Sequence, residues 1–139
     1  MTRINIIEPR ELTDQHLIAE YREIFMVGGS LNRTLNSKVG YREERVPKRY
    51  TLNSGHVYFF YNKGKYLHKR YIQLINEMKH RGFKPDKKRT FNVSIFTENG
   101  LYNDWIPNVE DYKIIRQRIE EKIAMKPEWY RKTNNKEII

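Results

Sequence analysis

The sequence contains no cysteine. Disulfide staples, thiolate metal sites and a thiol nucleophile are therefore excluded. Its four histidines are scattered without the close spacing of zinc ligands, so no metal is expected. Long apolar runs are missing too: nothing approaches the about 20 residues a membrane-spanning helix needs. No apolar signal segment precedes the polar first residues, and no repeat, low-complexity tract or interdomain linker interrupts the chain. What remains is 38% hydrophobic and 32% charged over 139 residues. That balance suits one folded domain spanning residues 1–139, in a cytosolic or nucleoid setting.

Acidic charge is also in short supply. Lys and Arg number 27 against 17 Asp and Glu, a net +10. Such an excess favours a polyanionic partner, because cations on phosphates release condensed counterions. Residues 63–89 carry ten basic and two acidic side chains, whereas the first thirty residues carry three basic and five acidic. Chemistry that needs carboxylates fits the first segment, and electrostatic affinity the second.

Apolar spacing predicts a mainly α fold, a compact domain of about three helices with long irregular connections. The first helix opens at Thr13 or Asp14 and runs through DQHLIAEYREIFMV, with Leu17, Ile18, Tyr21, Ile24 and Phe25 as its stripe. Gly28 and Gly29 are expected to interrupt or bend it before SLNRTL continues. The second, KYLHKRYIQLINEMKHRGF, turns Leu67, Tyr71, Leu74, Ile75 and Met78 to one side, and Gly82 follows its end. The third lies between an Asn108 cap and Pro127, with Tyr112, Ile115, Ile119 and Ile123 inward. HVYFFY reads equally as a short strand or as an apolar lead-in to the second helix. RTFNVSIFTENGLYNDWIP reads as a long connection packed by its aromatics.

Four features carry possible chemistry. On the first helix His16, Glu20 and Glu23 are expected in one sector opposite the apolar stripe, with Ala19 leaving room, Gln15 near the start and Arg22 placed to hold an anion. An exposed, merely solvated face is the alternative. On the third helix Arg118, Lys122 and Lys126 recur every four residues as a basic ridge suited to phosphates. After it comes PEWYRK, where Trp129 and Tyr130 can stack on bases while Arg131 and Lys132 hold the adjoining backbone. Finally, removal of Met1 would leave Thr2 with a free α-amine. Its reference pKa of about 7.7–8.0 leaves a useful fraction unprotonated and able to attack an aldehyde-like carbon.

MTRIN, DQHLIAEYRE, GHVYFFY, KHRGF and EKIAMKPEWY, in nearly full-length register, resemble the pyrimidine-dimer DNA glycosylase family of the T-even phage endonuclease V type. The resemblance implies an all-helical glycosylase and abasic-site lyase that acts on damaged double-stranded DNA as a monomer, without cofactor, in a nucleoid or phage-infected bacterial cytoplasm. It places Thr2 at the nucleophile and Glu23 at the catalytic carboxylate. It sets Arg3, Gln15, His16 and Arg22 around an extruded nucleotide and its phosphates, Arg118 and Lys122 on phosphate, and Trp129 and Tyr130 near the lesion. The chain departs from the best-known phage member at Phe25 and Met26, where that protein has proline and arginine; this bears on the lesion recognised. Two alternatives stay open: the same chemistry on another damaged or modified base, and a nucleic-acid-binding protein without catalysis.

Overall fold

The computed structural model of the chain describes residues 4–133. Three long helices dominate: α1 (Asp14–Leu35), α3 (Gly64–His80) and α5 (Val109–Met125). Two four-residue helices, α2 (His56–Phe59) and α4 (Ser94–Thr97), sit in the connections, and no strand is present among the described residues.

Each long helix starts or stops where side chains or a backbone turn supply missing partners. Thr13 caps α1, its side chain accepting from the His16 amide. Asn108 and Asp111 form a reciprocal capping box at the start of α5, which ends just before Pro127. At the end of α3, Gly82 adopts φ +87°, which lets Phe83 N donate to Met78 O at 2.8 Å and Gly82 N to Lys79 O at 3.0 Å.

The core lies mainly between α1 and α3. Leu17, Ile24, Val27 and Leu31 of α1 meet Leu67, Leu74 and Met78 of α3, and Ile4, Phe60, Phe96 and Ile115 close the cluster. Burying one such side chain contributes about 1.5–3 kcal/mol. That explains why α1 runs unbroken through Gly28 and Gly29. Val27 and Leu31 on either side are fully buried, which outweighs the about 1 kcal/mol each glycine costs a helix interior.

Two further expectations need correction, and one open alternative is decided. HVYFFY is the apolar lead-in to the second long helix and not a strand: its first four residues form α2, with His56, Phe59 and Phe60 buried at i, i+3 and i+4 spacing. Tyr112 is 37% exposed, so α5 presents Ile115 to the core with Ile119 and Ile123 only half-buried. The sector of His16, Glu20 and Glu23 lies beside the apolar stripe of α1 rather than opposite it, and Glu20 and Glu23 are buried. The long 89–107 connection is ordered by its aromatics, as expected: Phe91 stacks on Phe96, and Trp105 packs edge-on to Phe59, Phe60 and Tyr66.

Candidate functional site

The amino-terminal segment is the first part of the site to be fixed. Ile4, Asn5, Ile6 and Ile7 are buried, so their backbone polar groups need protein partners. Ile4 N donates to His56 Nε2 at 2.8 Å and Asn5 N to Glu20 Oε2 at 3.0 Å. The carbonyl of Ile4 accepts from the Tyr50 hydroxyl at 2.7 Å, and that of Asn5 from Tyr66 at 3.0 Å. Asn5 Oδ1 takes the next two amides, of Ile6 and Ile7. His56 Nδ1 lies 2.7 Å from the Thr51 carbonyl. A carbonyl can only accept, so Nδ1 carries the proton and Nε2 is the acceptor for Ile4.

Glu20 is held by more than Asn5. Arg70 of α3 donates Nε to Oε2 at 2.7 Å and Nη2 to Oε1 at 2.9 Å, a two-pronged ion pair with both side chains buried. Glu20 is therefore a neutralised strut joining α1, α3 and the amino-terminal segment. Glu23, also buried at 7% exposure, lies on the same helix one turn beyond Ala19. Arg22 beside it is exposed.

Next to this segment is a cleft of about 230 Å³, walled by Asn5, by Gln15, His16 and Ala19 of α1, by Ile115, Arg118, Ile119 and Lys122 of α5, and by Trp129 and Tyr130. Its ionic side chains other than His16 are the two cations, so the cleft is electropositive. His16 stacks on Tyr130 with ring centroids 4.8 Å apart and planes 7° apart, and its Nδ1 lies 2.8 Å from Thr13 Oγ1. Burial, and then the charge of Lys122, hold His16 below the usual histidine value. A neutral imidazole faces the cleft at neutral pH.

Six of the residues singled out in the sequence thus converge: Gln15, His16, Arg118, Lys122, Trp129 and Tyr130. Gln15 takes an additional part there. Its Nε2 donates to the Trp129 carbonyl and its Oε1 accepts from Arg131 N, so the amide binds the tail. The Arg131 side chain is exposed, and Lys126 Nζ sits 6.0 Å from the Trp129 ring. Thr2 and Arg3 lie outside the described residues. Asn5, Tyr50, His56, Tyr66 and Arg70 escaped the sequence reading. No local spacing marks Tyr50, His56 and Tyr66, which serve backbone groups about fifty residues away, or Arg70, whose partner Glu20 is as distant. Asn5 acts on its own two neighbouring amides. Among the described residues no three His, Asp or Glu side chains converge as metal ligands.

A family model for pyrimidine dimer DNA glycosylases matches residues 1–91. The chain belongs to this family. It is a DNA repair enzyme of the glycosylase class, and its substrate is DNA. The matched residues of the glycosylase hold the amino-terminal segment, α1, α2 and α3, with MTRIN, DQHLIAEYRE and GHVYFFY among them. Arg118, Lys122, Trp129 and Tyr130 come from beyond the matched part and wall the same cleft.

Proposed function

We propose that this glycosylase excises ultraviolet-induced pyrimidine dimers from double-stranded DNA as a monomer, and then cuts the strand through an imine to its own amino terminus. The supporting observation is the anchoring of the amino-terminal segment beside the cleft: His56 of α2 holds Ile4 N, and Glu20, on the helix that carries Glu23, holds the amide of Asn5, which lines the cleft. Once Met1 is removed, only Thr2 and Arg3 separate the reactive amine from this anchor. About 3.3–3.6 Å of reach per residue keeps it close.

The chemistry follows in balanced steps. The lone pair of the Thr2 amine attacks C1′ of the damaged nucleotide while the C1′–N glycosidic bond breaks, and the departing base takes the bonding electrons and a proton. Glu23 stabilises the positive charge that develops on the sugar. The C1′–O4′ bond then opens with proton transfer through Glu23, giving an imine and a free 4′-hydroxyl. The imine acidifies C2′–H; loss of that proton expels the 3′-phosphate by β-elimination, and water hydrolyses the imine to free the enzyme. Arg3 and Arg22 disfavour the ammonium form of the amine and keep it nucleophilic.

The reacting carbon is inside a duplex, so the DNA must kink or extrude a nucleotide. A cross-linked pyrimidine pair stacks and pairs poorly, which lowers that cost at the lesion. Arg118 and Lys122 take phosphates, and Trp129 and Tyr130 offer stacking faces. Met26, 55% exposed beside Arg22's turn, favours a second reading in which the lesion range differs from that of the phage type; irradiated plasmid compared with oxidised and alkylated plasmid separates the two.

The test is reductive trapping. Borohydride is expected to join the protein, at its processed terminus, to an abasic-site duplex, and the mass of the adduct's terminal peptide locates the bond on Thr2. Protein that is acetylated at that amine or retains Met1 gives no adduct. Undiminished trapping by the acetylated protein overturns the mechanism.

A further inference from the structure

The tail after α5 has little apolar packing of its own. Between Lys126 and Lys132 only Tyr130 is not exposed, yet the segment takes one defined course across the start of α1. Asp14 N donates to the Arg131 carbonyl at 2.7 Å, and the Gln15 amide spans Trp129 O and Arg131 N. At the end, the Asp14 carboxylate accepts from Thr133 N at 3.0 Å and from Thr133 Oγ1 at 2.5 Å.

Asp14 is itself held from behind. Arg81 Nη1 donates to Asp14 Oδ1 at 2.9 Å, and the Arg81 side chain is 1% exposed. Its remaining donors go to Glu77 and to the carbonyls of Pro9, Arg10 and Leu12. Such a guanidinium has nowhere else to go, so the carboxylate in front of it is fixed in both position and charge. Burial alone would raise the Asp14 pKa; the Thr133 hydroxyl and amide, with Arg81, outweigh it and hold the carboxyl below its ordinary value.

We propose that Asp14 and Thr133 are positioning residues for DNA recognition. Their contact sets the register of the tail, so that Tyr130 stacks on His16 and Trp129 closes the wall of the cleft. Neither side chain lines the cleft; both act through the aromatics. The inference rests on the reading that this cleft binds DNA.

Thr133→Val tests it, because valine keeps the backbone donor and the branched shape and removes only the hydroxyl. KM for a dimer-containing duplex is expected to rise about fivefold to tenfold with kcat at saturation unchanged. In protein labelled with fluorotryptophan, the fluorine resonance of Trp129 is expected to move toward its unfolded position while that of Trp105 stays. Thr133→Ser restores both. A role in stability alone would lower the melting temperature and leave the Trp129 resonance and KM in place; that result overturns the inference. Trp129→Leu is the control on the underlying reading. If it raises KM while Thr133→Val does not, the positioning role is wrong and the cleft stands; if it leaves KM unchanged, the DNA-binding assignment of the cleft itself fails.

Discussion

Glu20 and Glu23 share a helix, a charge and a low exposure, and differ in what surrounds them. Glu20 receives both prongs of Arg70 and the Asn5 amide. Removing it by Glu20→Ala leaves a guanidinium buried without its counterion, which costs about 3–5 kcal/mol; urea unfolding is expected to show that loss, and Glu20→Met with Arg70→Met to recover most of it. Glu23→Gln is expected to do the opposite: near-native unfolding and duplex affinity, with base excision reduced at least about 100-fold. Excision surviving in Glu23→Gln removes Glu23 from the mechanism. Helix periodicity does not separate the two carboxylates, because only the fold brings Arg70 to one of them from fifty residues away; in the sequence the family resemblance alone singles out Glu23. His16 adds a pH dependence with a definite sign. Its native value lies below the ordinary 6.5, so between the two the unfolded chain holds more protons. Stability therefore falls as pH drops from 6.5 toward the native value, and His16→Asn is expected to lose that slope in melting curves.

Whole elements were legible where local signals agreed with tertiary packing. Asn108, Gly82 and the apolar stripes of α1 and α3 mark helices that the structure places within a residue or two of the expected bounds. Legibility failed where a distant neighbour decides. Gly28 and Gly29 suggest an interruption of α1 only if the burial of Val27 and Leu31 is left out. HVYFFY shows its helical turn only once Tyr50 and Trp105 pack around it. The glycines themselves differ for the same reason. A Cβ at Gly28 would meet nothing within 4 Å, whereas one at Gly64 would lie 2.5 Å from Phe96 Cβ. Gly28→Ala, in an ordinary helical conformation, is expected to stabilise the protein by about 0.5–1 kcal/mol. Gly64→Ala forces the start of α3 away from Phe96 and is expected to cost about 1–3 kcal/mol. Thermal unfolding of the two variants should move in opposite directions; a shared sign would contradict the packing described here.

The net +10 of the whole molecule does not say which cations are available to DNA. Within the basic stretch of residues 63–89, Arg70 and Arg81 are consumed in buried ion pairs, and Lys69 meets Asp104 at 2.5 Å. Lys84, Lys87, Lys88 and Arg89 remain exposed after α3, and Arg89 lies over the Phe25 ring, 4.3 Å from its centre, so this cluster borders α1. Composition could locate the excess of cations but could not separate those that hold the core from those that face solvent. The two basic regions are therefore expected to serve different steps. Each exposed lysine that meets a phosphate during scanning adds about 0.9 to the slope of log affinity against log salt. Neutralising Lys84, Lys87 and Lys88 together is expected to lower that slope on undamaged duplex by as much as about 2.7, and to leave the single-turnover excision rate at saturating enzyme unchanged. Neutralising Arg118 and Lys122 lowers the slope less, because only two cations are lost, yet slows excision even at saturation, because these two wall the cleft beside His16. Salt titrations of binding and single-turnover kinetics on the same duplex separate the two effects. Equal loss of excision from both sets would mean that the exposed cluster after α3 belongs to the reacting site.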